Sequence, residues 1–296
     1  MMDIELGRLG IEVVPGESVE ATLLAPQRAL PAVLFVHGWG GSQTQDLSRA
    51  REIAALGCVC LTFDLRGHRA DAASHETVSR AQNLADLCAC YDWLAARPDV
   101  DADAVAVVGV SYGGYLAAIL SSLRPVRWLA LRTPALYLDR DWESPKRRLH
   151  DDPELLRYRH AAVAPEDNRA LRACQRFEGD ALLVEAGRDE IIPRQVIDNY
   201  AAAFRRARSM TRRLVAEAGH GFDDKPSQRQ YSETLRAWMT EMILGSRGAI
   251  AASRVRAYKD AQRGDAGGKP VDPTNGGANG RDERRAGAAF SRIPGR

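Results

Sequence analysis

Short apolar runs alternate with longer helical patterns along most of this chain, and this alternation constrains its fold more than any other feature. Six of the runs have the length of a strand: PAVLFVHG, CVCLTFDLRG, AVAVVGVS, VRWLALRTP, DALLVEAGRD and RRLVAEAGHG. Near-continuous apolar strands are typical of a sheet that is covered on both faces, and strands that alternate with helices usually pair in parallel. The sequence therefore predicts an α/β fold with a mostly parallel sheet and helices on both faces.

Two more strands are predicted before this series. The segments IELGRLGIEVV and SVEATLLAP are joined by Pro15 and Gly16, a pair that is typical of a tight turn. The expected sheet therefore has eight strands. Helices are predicted over residues 46–56, 78–96, 112–123, 194–207 and 228–244, and Pro193 is suited to the first turn of the fourth, where its missing N–H costs nothing.

Two regions depart from the alternation. Residues 135–179 form a charged, helix-prone insertion that is too long for an ordinary connection. We interpret it as a small helical cap that roofs a pocket, within an α/β unit spanning residues 1–245. Residues 246–296 form a basic tail rich in Gly, Ala and Arg, with too few large apolar residues for a core, and we expect disorder from about Asp260. A solvated tail is favoured over one that contacts an acidic surface or nucleic acid.

The overall composition is that of an ordinary globular protein, with 45% hydrophobic and 27% charged residues and a net charge of +2. The first residues, MMDIELGRLGIEVV, lack a basic segment followed by an apolar one, and no apolar run approaches the roughly 20 residues that span a bilayer. We therefore expect a cytoplasmic location and neither a membrane nor a nucleic-acid partner. The oligomeric state stays open.

The pentapeptide Gly109-Val110-Ser111-Tyr112-Gly113 directly follows one apolar run and precedes a helical stretch. Ser111 is thereby predicted on a sharp strand-to-helix turn, the context of a nucleophile elbow. Such a turn has no space for side chains near the serine, which explains the glycines, and it aims the first amides of the helix at a developing oxyanion. Ser111 is the candidate nucleophile, and a simple helix N-cap is the alternative interpretation.

A serine hydroxyl needs a base to act as a nucleophile. Among the six histidines, His220 follows the last predicted strand and is flanked by glycines, so its loop could return over Ser111. Asp189 ends the preceding strand and is the predicted acid that orients the base, with Glu190 as the alternative. The order Ser111, Asp189, His220 is the one that a nucleophile-elbow fold requires. We expect Asp223 to be solvated.

These residues and their spacing resemble the α/β-hydrolase superfamily over about residues 5–245. In VLFVHGWGG the resemblance implies an oxyanion-hole loop, so that the backbone N–H groups of Trp39 and Tyr112 would hold the oxyanion, while His37 would support the loop. In FDLRGHR family members commonly have glycine where this chain has Arg69, which leaves the local loop shape open. The sequence Ser111-Tyr112-Gly113-Gly114-Tyr115 is also similar to the elbow of prolyl-oligopeptidase-type peptidases and of dienelactone-hydrolase-like esterases. The latter use cysteine, and serine argues against that chemistry.

The resulting hypothesis is a serine hydrolase that cleaves a small carboxylic ester through an acyl-enzyme and needs no cofactor or metal. A peptidase, a thioesterase or an amidase is the alternative within the same mechanism. A non-catalytic binding protein is the alternative from a different class. Four aromatic residues near the elbow and in the insertion could line an apolar acyl pocket: Trp39, Tyr112, Tyr137 and Trp142.

Overall fold

The computed structural model describes residues 4–26 and 30–265, and an eight-stranded sheet forms its centre. The strands are β1 Ile4–Val14, β2 Glu17–Pro26, β3 Leu30–Val36, β4 Val59–Phe63, β5 Val100–Val110, β6 Trp128–Arg132, β7 Asp180–Ala186 and β8 Ser209–Val215. They lie in the order β1-β2-β4-β3-β5-β6-β7-β8. β2 pairs antiparallel with β1 and with β4, and every other pair is parallel. The predicted mostly parallel, eight-stranded sheet is confirmed.

The helices of the described residues follow the predicted alternation. They are α1 Leu47–Ala54, α2 Arg80–Ala95, α3 Tyr112–Leu120, α4 Pro153–Arg159, α5 Arg169–Arg176, α6 Arg194–Ala203 and α7 Lys225–Asp265. Ser79 caps α2, since its side chain accepts from the amide of Gln82 while the Gln82 side chain accepts from the Ser79 amide. None of the helices in this part of the chain is long and apolar enough to cross a membrane.

Side chains of the central strands enter two separate apolar clusters, because successive residues of a strand face opposite sides of the sheet. In β3, Ala32, Leu34 and Val36 belong to the first cluster, whereas Val33 and Phe35 belong to the second. Helices α2, α3, α5 and α6 cover the first cluster, and α1 and α7 cover the second. The covering of both faces explains why these strands are apolar without alternation.

The insertion at residues 135–179 is helical, as expected. It contains α4, α5 and two short 3-10 helices, Lys146–Asp151 and Pro165–Asp167. Ala170, Leu171 and Cys174 of α5 are buried in the first apolar cluster, where α5 packs against α3 and α6. The second half of the insertion is therefore part of the layer that covers the sheet.

The last helix extends beyond its predicted end at residue 244. α7 continues to Asp265, although residues 246–265 contain few large apolar side chains. This stretch lacks proline and is rich in alanine and arginine, which have high helix propensity. The chain divides into two compact units, Met1–Ala249 and Ile250–Arg296, and the sheet belongs to the first. The rest of the expected disordered tail, residues 266–296, lies outside the described residues.

Candidate active site

Ser111 lies on the turn between β5 and α3, with backbone angles of φ 52° and ψ −114°. A non-glycine residue rarely adopts a positive φ, so the surrounding backbone must hold it there. The Ser111 amide donates to the carbonyl of Arg132 at 2.9 Å, and the Ser111 carbonyl accepts from the amides of Tyr115 at 3.0 Å and Ala135 at 2.9 Å. These hydrogen bonds fix Ser111 at the edge of the sheet where the parallel strands end.

The glycines of the elbow are required by close packing. A Cβ atom on Gly109 would lie 2.6 Å from the carbonyl oxygen of Gly113, and one on Gly113 would lie 2.3 Å from the carbonyl oxygen of Val36. Both distances are shorter than any carbon–oxygen contact that a folded protein tolerates. The glycine spacing around Ser111 therefore has the steric cause that the sequence suggested.

The structure brings Ser111, His220 and Asp189 into one hydrogen-bonded chain. His220 Nε2 lies 2.9 Å from Ser111 Oγ, and His220 Nδ1 lies 2.8 Å from Asp189 Oδ2. An ionised carboxylate only accepts hydrogen bonds, so Nδ1 carries the proton and Nε2 is left as an acceptor for the serine hydroxyl. His220 thus has the tautomer that a general base for Ser111 requires.

Asp189 is the carboxylate that meets His220, and Glu190 is exposed on the same loop. The other Asp189 oxygen, Oδ1, accepts hydrogen bonds from the amides of Ile191 at 2.9 Å and Ile192 at 2.8 Å. These amides fix the carboxylate in place and stabilise its charge. Asp223, just past the histidine, is exposed as expected.

His37 is buried and orients the loop after β3. Its Nε2 accepts from the amide of Leu65 at 3.1 Å, so its Nδ1 carries the proton and donates to the carbonyl of Gly38 at 2.8 Å. Burial lowers the pKa of His37, which favours this neutral form. The peptide between Gly38 and Trp39 is planar and trans, so fixing its carbonyl toward His37 directs the Trp39 N–H the opposite way. His37 therefore supports the loop, which agrees with the role expected for it.

Three aromatic rings surround the buried Lys146 on the α2/α3 side of the elbow. The Nζ atom of Lys146, a side chain with 0% exposure, lies 4.1 Å from the ring centroid of Trp39, 5.0 Å from that of Tyr112 and 5.2 Å from that of Tyr137. Burial, followed by the charges of two nearby arginines, holds the pKa of Lys146 well below its usual range. We name this set the lysine cluster: Lys146, Trp39, Tyr112 and Tyr137.

An open cleft of about 1020 Å³ lies on the other side of the elbow, between α1 and the beginning of α7. Ser111, His220, Trp39 and Arg132 all line it. The described insertion residues contribute nothing to its lining, so the expected pocket roof is absent from this cleft. Of the four aromatic residues proposed for an acyl pocket, only Trp39 lines it; Tyr112 and Tyr137 are buried in the lysine cluster.

Arg132 and Lys146 are the site neighbours that sequence reasoning missed. Arg132 is visible in the sequence as a charged residue near the end of the predicted strand VRWLALRTP. Lys146 had no comparable signal, because it is one of three consecutive basic residues in PKRRLH.

Arg69, the departure from the family pattern, begins a 3-10 helix over Arg69–Glu76. In the part of the chain that the structure describes, no group of His, Cys, Asp and Glu side chains could hold a metal ion.

A mostly parallel eight-stranded sheet with a serine at a strand-to-helix elbow defines the α/β-hydrolase class of fold. Residues 33–232 match the model of the alpha/beta hydrolase family, and the chain belongs to this family. No individually curated protein matches the sequence.

Solved structures with the same fold include esterases and related hydrolases. A dienelactone hydrolase from Anabaena variabilis is 18% identical, with a TM-score of 0.57, 80% of this chain and 98% of that chain being covered. EstE1, a thermophilic carboxylesterase cloned from a metagenomic library, is 22% identical, with a TM-score of 0.59 and coverage of 82% and 91%. Est1E from Butyrivibrio proteoclasticus, in a structure with ferulic acid bound, is 16% identical, with a TM-score of 0.63 and coverage of 80% and 99%.

Proposed function

We propose that this chain is a serine hydrolase that cleaves a carboxylic ester of a small molecule through an acyl-enzyme. Ser111 is the nucleophile, His220 the general base and Asp189 the acid that orients the base. Family membership supports a hydrolase. The observation that carries the finer assignment is the continuous hydrogen-bonded chain from Ser111 Oγ through His220 to Asp189, at 2.9 and 2.8 Å.

In the first half of the reaction, Ser111 Oγ attacks the ester carbonyl carbon while His220 Nε2 takes the hydroxyl proton. The carbonyl π electrons move to its oxygen and form a tetrahedral oxyanion. When the carbonyl re-forms, the bond to the leaving alkoxide breaks, and His220 gives its proton to that oxygen. The products of this half-reaction are an alcohol and an acyl group on Ser111.

In the second half, water replaces the alcohol. His220 takes a proton from the water as it attacks the acyl carbon, and a second oxyanion forms. Its collapse breaks the bond to Ser111 Oγ, which recovers its proton from His220, and the carboxylic acid leaves. The Asp189 charge stabilises the imidazolium in both halves.

The oxyanion is assigned to two backbone N–H groups. Tyr112 is the first residue of α3, so its N–H has no acceptor within the helix and lies beside Ser111. The Trp39 peptide is oriented by the hydrogen bond from His37 to the carbonyl of Gly38, and Gly38 borders Ser111, with a Cβ built on it lying 3.4 Å from the Ser111 Cβ. Loss of one such donor typically lowers kcat by about 10²- to 10³-fold.

The first test measures hydrolysis of p-nitrophenyl esters of increasing acyl length together with aminoacyl p-nitroanilides. Ester turnover that Ser111→Ala lowers by at least about 10³-fold supports the proposal. The matched control is Ser122→Ala, an exposed serine just past α3, which should retain full turnover. Turnover of anilides in preference to esters would replace the esterase assignment by a peptidase. Absence of turnover, together with no labelling of Ser111 by a fluorophosphonate, would favour a non-catalytic binding protein.

The choice of acid is tested by a pair of neighbouring substitutions. Asp189→Asn should lower kcat by about 10³- to 10⁴-fold, because an amide that donates to Nδ1 favours the wrong histidine tautomer. Glu190→Gln removes an exposed carboxylate that does not meet His220 and should change kcat less than about twofold. A larger effect of Glu190→Gln than of Asp189→Asn would reassign the acid.

A further inference from the structure

Arg132 places a cation inside the cleft that contains Ser111. It ends β6, is only 8% exposed, and its Cα is paired in register with that of Val110, the residue before Ser111. Its guanidinium carbon lies 4.7 Å from the ring centroid of Phe222, two residues after His220, and 5.0 Å from that of Tyr231. The cation is therefore held between the strand that leads to Ser111 and the loop that carries His220.

The hydrogen-bonding capacity of this guanidinium is unused. Its Nε is buried without a partner. Its two Nη nitrogens also form no hydrogen bond or ion pair with any residue that the structure describes, and Arg132 lines the cleft. Arginine has five N–H donors, and burying such a charge without acceptors is costly. Contacts with ring faces only partly compensate for this.

The acidic groups near Arg132 do not satisfy it. Asp46 accepts two hydrogen bonds from Arg49, from Nε at 3.1 Å and from a terminal nitrogen at 2.8 Å, so its charge is already paired. Asp223 is exposed to solvent, which screens its charge. Burial accordingly lowers the pKa of Arg132, although an arginine keeps its charge at neutral pH.

The rest of the cleft offers no comparable charge. Its lining is nearly balanced, with five basic residues, Arg49, Arg132, Lys225, Arg229 and Arg236, and four acidic ones, Asp46, Glu52, Asp223 and Glu233. Apart from Arg132, only Asp46 among these nine is buried. A ligand anion would therefore gain most at Arg132, where solvent does not screen the interaction and two parallel N–H groups match a carboxylate.

We infer that Arg132 is the specificity-determining residue of this cleft and that it binds a carboxylate carried by the ester substrate. This inference rests on the proposed function for its chemistry. The substrate class is a half-ester of a short dicarboxylic acid: one carboxyl group is esterified and is attacked by Ser111, and the other is ionised and pairs with Arg132. Hydrolysis of such a half-ester releases an alcohol and a dicarboxylate.

The test compares esters that differ only in the distant carboxylate. Monomethyl succinate, glutarate and adipate are each assayed against the methyl ester of the unsubstituted acid of the same chain length, with methanol release as the readout. For the wild type, kcat/KM should be higher for at least one half-ester than for its neutral partner. In Arg132→Met the ratio of the two kcat/KM values should fall by about tenfold to a hundredfold, mainly through KM, and Arg132→Lys should recover part of it.

Arg127→Met is the matched control. Arg127 lies just before the other end of β6, also has an unpaired buried Nε, and lies over the ring of Trp128, with 5.6 Å from its guanidinium carbon to the ring centroid. It is remote from the cleft lining, so the half-ester ratio should keep its wild-type value. A purely structural role of Arg132 would lower turnover of both kinds of ester alike and leave the ratio unchanged, which would overturn the inference.

Binding is also measured without turnover. Calorimetric titration of the Ser111→Ala protein with glutarate should give a dissociation constant that Arg132→Met weakens by at least about tenfold in the double variant. If no ester is hydrolysed and no fluorophosphonate is bound, the proposed function fails, while glutarate binding still decides on Arg132. If esters are hydrolysed without preference for half-esters and glutarate does not bind, only the inference about Arg132 fails.

Discussion

Two cations lie against aromatic rings on opposite sides of the elbow, and they differ in what else they can reach. Lys146 lies in the lysine cluster with 0% exposure, whereas Arg132 lies over Phe222 and Tyr231 and borders the cleft. Both side chains are buried, but only Arg132 borders the cleft, where a ligand can reach it. Contact between a cation and rings therefore does not by itself identify a binding site; access from the cleft separates the two cases.

The largest effect on stability and reactivity is expected at Gly113, in the elbow that separates the two cations. A methyl group there would lie 2.3 Å from the carbonyl oxygen of Val36 and 2.4 Å from that of His37, so the backbone of the elbow or of β3 must shift. Gly113→Ala should lower the free energy of unfolding by about 3 kcal/mol and abolish labelling of Ser111 by a fluorophosphonate. Denaturant titration and labelling measure both effects.

Gly7→Ala is the matched control, since no heavy atom lies within 4 Å of a Cβ at that position in β1. Its free energy of unfolding should stay within about 0.5 kcal/mol of the wild-type value. Equal losses for both variants would show that the elbow is no tighter than an edge strand.

The second effect is expected for His68, and it concerns how the free energy of unfolding depends on pH. Burial, together with the nearby His37 and His75, lowers the pKa of His68 to about 4. The unfolded chain takes up this proton near pH 6.5 and the folded one does not, so stability is lost as the pH falls from about 6.5 to 4. His68→Gln should remove up to about 3 kcal/mol of this loss relative to the wild type, measured by denaturant titration at pH 7, 5.5 and 4.

The exposed His160 provides the comparison for this titration. His160→Gln should leave the pH dependence of unfolding parallel to that of the wild type. If the free energy of unfolding of His68→Gln also runs parallel to that of the wild type as the pH falls, protonation of His68 does not limit stability in acid.

The smallest effect on the free energy of unfolding is expected for Lys146→Met. This variant also allows the two cations, Lys146 and Arg132, to be compared. The folded-state pKa of Lys146 lies below that of an unfolded lysine, about 10.4, so its contribution makes stability rise with pH up to that value. Removal of the titrating amine should flatten this rise in the free energy of unfolding. Thermal and denaturant unfolding at pH 7 to 10 measure it as the difference from the wild type.

The same variant separates the two cations functionally. Because Lys146 is outside the cleft, Lys146→Met should leave the ratio of half-ester to neutral-ester turnover as in the wild type, whatever happens to the absolute rate. A fall in this ratio as large as that of Arg132→Met would contradict the distinction drawn from their exposure.

Local patterns in the sequence were sufficient for the sheet, most of the helices and the positions of Ser111, Asp189 and His220. Apolar runs reveal strands covered on both faces, and the elbow depends on glycines that lie within four residues of each other. Parallel strands all end at one edge, so residues that follow them must meet there. This is why Asp189 could be placed near His220 although 31 residues separate them.

Features that depend on packing between distant segments could not be predicted. The pattern PKRRLH does not reveal which of its cations becomes buried, because the rings around Lys146 come from the loop after β3, from α3 and from the insertion. The length of the insertion predicts a position above the pocket, whereas the apolar side chains of α5 place its second half in the layer over the sheet. The end of α7 cannot be predicted from the scarcity of apolar residues in 246–265, because the helix propensity of this stretch is high.

The hydrogen bond between Ser111 and His220 joins residues 109 positions apart in the sequence, across three parallel crossovers. Contacts of such long range form slowly, because the chain must lose loop entropy before they contribute. During refolding, helical circular dichroism should therefore recover well before the serine becomes reactive. Reactivity of Ser111 is therefore a marker of the last stage of folding. It distinguishes native molecules from those that are collapsed but not yet native.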